Sequence, residues 1–414
     1  MVSTDRFKRW FVILFIIPLL GLLPACSTPL VDNSVAESSQ QSGQAAEIVV
    51  DEPTATSHTA LAMNDATEED VQELSQGVEE DVQPTPTVAS EPQEPVNPLT
   101  GLPVDDADVL VRRPLLVSIS NFPPSARPQA GLSFASHVYS TFIGFGMNRY
   151  IAVFYGDYAE HLQEILNNRL AEGSDDSFAI GPIRSGRVAF EDIKNQYPHA
   201  LLITAGASPQ VLAQFSNQVS VFGSGEESVN DTGVGANALG QLVSDFPVDS
   251  IAYESLIFDP VPPDGGEPAE FVRIIYNYLN QNGWVFDAGS STYLRLQDQA
   301  DGSGDLFPMT DRLTDEQLGF ENVVVMWAKH SYISPTIIEI NLSYVWDQFG
   351  LLYRDGQVYE IKWSTRNGEL MLYDGAGDMV PLRPGKTWFE VVSFQSTWDR
   401  EKSIVRFHEP PSDF

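Results

Sequence analysis

Two arginines stand three residues apart in Ile180-Gly-Pro-Ile-Arg-Ser-Gly-Arg187, a Gly/Pro-containing stretch of a chain whose formal net charge is -34. A guanidinium presents a planar fork of N–H donors that matches a carboxylate or a phosphate. Arg127, followed by Pro128, and Arg149, just after the Gly144-Phe-Gly146 turn signal, place two more cations near strand ends. If Arg127, Arg149, Arg184 and Arg187 converge, with hydroxyls from Ser185 and Ser208, the product is an anion-binding site. The alternative is that each arginine ties down its own loop by bonding carbonyls or pairing with an acid. We favour the tying role for Arg127 and the binding role for Arg184 and Arg187.

Other chemistry is poorly supported by residue spacing. The six histidines (His58, His137, His161, His199, His330 and His408) never fall at metal-ligand spacing, so no metal and no cofactor is expected. Ser208 follows an apolar run, where a hydrolase nucleophile could stand. However, Gly206-Ala-Ser-Pro-Gln210 departs from the G-x-S-x-G elbow, and Ser followed by Pro suits a helix cap better. Paired carboxylates for glycosidic hydrolysis remain open, because the spacing that matters is spatial and no particular pair stands out. Trp327, Trp346, Trp363, Trp388 and Trp398 could stack on sugars, but most are expected to fill a β core.

The elements that must position these residues follow from periodicity. Short apolar runs at Arg113–Ser120, His137–Ile143, Arg149–Tyr155 and Ala200–Thr204 read as strands. Helical spacing covers Tyr158–Ala171, and Phe190, Ile193 and Tyr197 predict a helix over Arg187–Tyr197 whose first turn begins near Ser185. Such a helix start would add free N–H groups and partial positive charge beside Arg184 and Arg187. A further helix over Gln210–Phe215 is expected behind Ser208. Strand and helix thus alternate in 97–258, giving a layered α/β domain. In 259–400, closely spaced strands with turns at Arg354-Asp-Gly356 and Arg366-Asn-Gly368 predict a mainly antiparallel β domain, leaving 401–414 as a tail. The fold class is therefore α+β.

The N-terminal end sets the compartment. Arg6, Lys8 and Arg9 precede an apolar run from Trp10 to Leu23, the pattern of a signal peptide covering 1–25. Leu23-Pro-Ala-Cys26 has the form of a bacterial lipobox, and Cys26 is the only cysteine, so acylation of its thiol explains a residue that no internal disulfide can use. The expected location is the extracytoplasmic face of a bacterial membrane, held by lipid. From Ser27 to Val96 there are fifteen carboxylates and no Lys or Arg, a self-repelling composition that reads as a disordered tether. The persistent negative charge argues against nucleic acid and against anionic lipid surfaces as partners.

Asn97-Pro-Leu-Thr-Gly-Leu-Pro103, Ala126–Leu132, Ile180–Arg187 and Ala205-Gly-Ala-Ser-Pro-Gln210 resemble the N-terminal domain of the YerB-like bacterial lipoproteins. Phe349–Trp363 and Pro384-Gly-Lys-Thr-Trp388 resemble that family's C-terminal domain. The resemblance spans most of Asn97–Val392 and implies an exported, lipid-anchored setting rather than an established reaction. It also implies that acids commonly stand where this chain has Ser120, Ser136, Ser140 and Gly144. Their replacement here tilts the expectation away from catalysis, toward a binding or adaptor protein of the cell envelope whose partners are a cell-wall polymer or envelope proteins. The alternative is an envelope hydrolase or transferase acting on such a polymer.

Overall fold

The computed structural model describes residues 94–412, apart from 175–177, 222–231, 245–252 and 254. The expected signal peptide, Cys26 and all but the last three residues of the tether lie outside the described residues.

The apolar runs of the first half form β1 (Leu115–Ile119), β2 (His137–Gly144) and β3 (Met147–Phe154), which are followed by α1 (Tyr158–Ala171), α2 (Ala189–Lys194), β4 (Leu201–Thr204), α3 (Pro209–Leu212), β5 (Gln218–Ser220) and α4 (Ala236–Ser244). The second half is built of strands: β6 (Glu267–Pro268), β7 (Phe271–Asn277), β8 (Asn280–Asp287), β9 (Thr292–Asp298), β10 (Leu306–Pro308), β11 (Gly319–Phe320), β12 (Asn322–Ser334), β13 (Ile337–Asn341), β14 (Gln348–Arg354), β15 (Gln357–Ser364), β16 (Met371–Tyr373), β17 (Thr387–Ser393), β18 (Thr397–Asp399) and β19 (Ile404–Arg406). The class is α+β.

A twelve-stranded sheet runs β16-β15-β14-β12-β17-β2-β3-β1-β4-β5, with β13 added to β12 and β6 to β15. Its central seam joins the two sequence halves, because β17 pairs in parallel with β2, Thr387 opposite His137 through Glu390 opposite Ser140. The boundary placed at 258/259 therefore divides the chain but not this sheet. A second sheet, β10-β9-β8-β7-β19-β18 with β11 on β9, packs against the first. The segment 401–414 is more than a tail: β19 pairs in parallel with β7, and Phe407 is buried against Phe142 and Tyr276.

Side-chain alternation assigns the faces of the large sheet. Tyr150, Trp388 and Glu390 point toward the second sheet, where Trp388 packs edge-on against Tyr150, Trp284 and Phe320. His137, Tyr139 and Phe389 point the other way, toward Tyr197 after α2. Burial on both faces explains why β2 and β17 read as continuous apolar runs, whereas β7, solvated on one side, alternates. The Asp355-Gly356 turn between β14 and β15 has positive φ at both residues, as a two-residue hairpin with right-handed strand twist requires.

Two local expectations change. The helix expected from Arg187 to Tyr197 occupies only Ala189–Lys194; at its start, Arg184–Gly186 are extended and bond to the segment that follows β4 and to β1. The helix behind Ser208 begins at Pro209 and ends at Leu212.

Candidate functional site

β1 and β4 are parallel neighbours, Leu115–Val117 opposite Leu201–Ile203. Beyond this pairing the extended segment Pro182–Gly186 inserts between their carboxyl ends. The Arg184 N–H donates to the Ser118 carbonyl at 2.9 Å and the Ala205 N–H to the Arg184 carbonyl at 2.9 Å, while the Gly186 N–H donates to the Gly206 carbonyl at 2.8 Å. Gly186 is required there for space: a Cβ would lie 2.4 Å from the Phe215 ring. Carboxyl ends of parallel strands are where open α/β sheets usually bind ligands.

Three of the four expected arginines gather at this segment. Arg149, on β3 and only 5% exposed, donates from Nη1 to the Ser185 carbonyl at 2.7 Å and to Ser185 Oγ at 3.2 Å. Arg187 donates from Nη1 to the same Ser185 Oγ at 3.0 Å and to the Gly186 carbonyl at 2.9 Å. Two guanidinium groups thus share one serine. Arg184, half-buried, completes the group and makes no side-chain hydrogen bond among the described residues. No carboxylate of the described residues lies within ion-pair distance of any of the three.

The electrostatic consequence is repulsion in a partly desolvated place. Burial, and then the charges of Arg187 and Arg184, hold the Arg149 guanidinium well below the usual arginine range. Burial and then Arg184 lower Arg187, and burial lowers Arg184. Arginine keeps its proton at any physiological pH, so these directions describe a cationic cluster with no carboxylate counter-charge among the described residues. Arg354 provides the contrast within the same chain: fully buried, it is satisfied by Asp355 at 2.7 Å and by the carbonyls of Pro381 and Asp259.

Arg127 does not join the cluster. Its Nε donates to the Asn121 carbonyl and to Asn121 Oδ1 at 3.0 Å each, its Nη1 donates to the Asp298 carbonyl at 2.7 Å, and its guanidinium lies over the Phe122 ring. Burial, ahead of any neighbouring group, lowers the Arg127 guanidinium, and its neighbours Tyr150, Asp298 and Arg295 lie on the opposite face of the sheet from Arg149. Arg127 therefore ties the 121–128 loop to β9. Ser208 occupies the N-cap position of α3, where its carbonyl accepts from Val211 and Leu212; its exposed side chain makes no capping bond and none to the arginines. The helix-start contribution to the site is also corrected. α2 begins two residues after Arg187 and carries Glu191 and Asp192 in its first turn.

The four positions at which the resemblance implies acids do not form one centre. Ser136, just before β2, and Ser140 and Gly144 on it lie at four-residue intervals, about 13 Å apart at each step. Ser120 Oγ donates to the Phe122 carbonyl and Ser136 Oγ to the Tyr155 carbonyl. Among the described residues, no three His, Cys, Asp or Glu side chains are grouped so as to hold a metal ion.

Sequence reading missed a second polar constellation, sealed between the sheets. Glu390, with no exposure, accepts from Arg295 Nη1 at 2.8 Å, Tyr276 Oη at 3.1 Å and Trp284 Nε1 at 3.4 Å. Arg295 is held between the Trp284 and Trp388 rings, 4.7 and 4.5 Å from their centroids. Arg295 and Glu390 are 95 residues apart in sequence, and no local pattern links them. Of the tryptophans read from sequence, Trp327, Trp363 and Trp388 are buried, Trp398 is half-buried, and Trp346 is exposed.

Fold and site together define an α+β protein of two packed sheets that sets a cluster of arginines at the carboxyl ends of parallel strands. Residues 99–232 match the N-terminal domain, and residues 272–389 the C-terminal domain, of a family described as "protein of unknown function (DUF3048)". The chain belongs to this YerB-like family. It is 25% identical, over 313 residues, to the "Putative lipoprotein YerB" of Bacillus subtilis (strain 168), an alignment covering 71% of this chain and 85% of that protein. The crystal structure of YerB protein from Bacillus subtilis superposes with a TM-score of 0.57 at 24% identity, covering 72% of this chain and 97% of that one, a likeness of fold.

Proposed function

We propose that this is a lipid-anchored binding protein of the bacterial cell envelope, facing away from the cytoplasm, that holds an anionic group at Arg149, Arg184, Arg187 and Ser185. The observation carrying this reading is that Arg149 and Arg187 both bond Ser185, next to Arg184, with no carboxylate partner for any of the three among the described residues, in a chain of net charge -34. A chain so rich in acids has ample means to neutralise arginines internally, and it does so at Arg295, Arg354 and Arg383. Three guanidinium groups with no carboxylate among the described residues are costly unless an anion completes them. A cell-wall polymer or an envelope protein would supply that anion. The lipobox, the relative's description as a lipoprotein and the acidic spacer support the anchored setting.

Pull-down from solubilised envelopes tests the anion site. Wild-type protein should retain an envelope component that the Arg184→Ala/Arg187→Ala form loses, with circular dichroism confirming that both are folded; equal recovery of every component would remove the site. The anchor has its own test. Cys26→Ser is expected to move the protein from the membrane pellet into the soluble fraction, and unchanged membrane association would rule out lipidation.

A further inference from the structure

Resting on the anion-binding reading, we infer that the bound group is a phosphate monoester on a water-soluble envelope component, not a lipid, rather than a carboxylate. Donor geometry is the first reason. Among the described residues Arg184 makes no side-chain hydrogen bond and Arg187 bonds only through Nη1, while Arg149 is 95% buried with its Nη1 against Ser185. Thr204, fully buried at the end of β4, also leaves Oγ1 without a partner, and its methyl group lies 3.2 Å from where a Cβ on Gly186 would be. A carboxylate offers two oxygens in one plane. A phosphate monoester offers three terminal oxygens in a pyramid, so the part-exposed Arg184 and Arg187 can each meet their own oxygen while Arg149, its Nη1 committed to Ser185, adds its charge from behind.

Charge is the second reason. A carboxylate brings one negative charge to three guanidinium groups, whereas a phosphate monoester carries about -1.5 to -2 near neutral pH. Repulsion among the three arginines is already visible in the lowering of Arg149 by both of its neighbours. A dianion relieves most of it. The surrounding chain disfavours a membrane source, because a protein of net charge -34 is repelled by a surface of anionic headgroups.

Isothermal titration of the mature full-length protein with inorganic phosphate, and separately with acetate, tests the inference. Phosphate should saturate one site per chain, and acetate at the same concentrations should give at least tenfold weaker binding. Arg184→Gln and Arg187→Gln should each weaken phosphate about tenfold to a hundredfold, the loss expected for one charged hydrogen-bonding partner. Arg187→Lys, which keeps the charge but not the fork, should fall between Arg187→Gln and wild type. Acetate binding as tightly as phosphate would overturn the phosphate assignment while leaving the anion site in place. Binding of neither anion would overturn both. Capture by phosphatidic acid vesicles without binding of inorganic phosphate would overturn the water-soluble source.

Discussion

Glu390→Ala is expected to lower the unfolding free energy by about 3–5 kcal/mol, the cost of leaving one member of a buried ion pair uncompensated. The removed carboxylate is the common acceptor for Arg295, Tyr276 and Trp284, and both side chains of the ion pair have no exposure. Stacking between Trp284 and Trp388 would keep Arg295 in place but cannot supply its missing counter-charge. Replacing both partners together, as Arg295→Met with Glu390→Leu, is expected to cost far less than the single change, because the desolvation of both charges disappears with them. Urea unfolding followed by tryptophan fluorescence measures both variants. A single variant losing less than about 1 kcal/mol, or a double variant as damaged as the single, would show that the pair does not hold the sheets in the way described.

Acid should destabilise the protein well above the range in which ordinary surface carboxylates titrate. Burial pushes His137 and His330 down to about 4 from the usual 6.5. His137 is enclosed by Tyr197, Phe389 and the Leu99 carbonyl, and His330 by Phe142, Phe407 and the Ala328 carbonyl; no charged side chain contributes to either shift. Above pH 6.5 both are neutral in the folded and unfolded chain. As pH falls from 6.5 to 4 the unfolded chain binds protons that the folded chain does not, so stability is lost at about 1.4 kcal/mol per pH unit for each histidine. The loss levels off below about 4. Asp192, Asp298 and Asp311, raised mainly by burial, act with the opposite sign and soften the low-pH end of the decline. His330→Phe fits the apolar slot between Phe142 and Phe407 and removes one of the two titrations. Its urea midpoint should therefore fall about half as far as wild type between pH 7 and pH 5; an identical fall would rule out His330 as a source of the acid sensitivity.

Strand periodicity was legible where burial is local in sequence. The runs at 137–143 and 149–155 became β2 and β3 with small changes at their ends, and α1 spans the Tyr158–Ala171 of the periodic pattern. Where tertiary partners override propensity, the reading fell short. Asn280-Gln-Asn-Gly283 carries no strand signal, yet it opens β8 because Asn280 bonds Asn148 and the Gly146 carbonyl across the two sheets. Ile404–Arg406 is too short to announce itself and is a strand because β7 presents it with a free edge. α2 lost its first turn for a related reason: the backbone of Arg184–Gly186 bonds Ser118, Ala205 and Gly206 instead of closing helical bonds.

At the candidate site, residue types alone name the groups able to recognise an anion. Residue type sets hydrogen-bonding chemistry, and a Gly/Pro-containing segment marks where backbone and side chains are free to serve it. The expectation of lipidation at Cys26 also rests on sequence alone, because such a signal would be read along an unfolded chain. Only the tertiary structure decided that Arg149 travels with Arg184 and Arg187 while Arg127 does not. The reason lies in the pleat of β3, where Arg149 and Tyr150 point to opposite faces, so that one arginine meets Ser185 while Arg127 is left on the side of Tyr150 and Arg295.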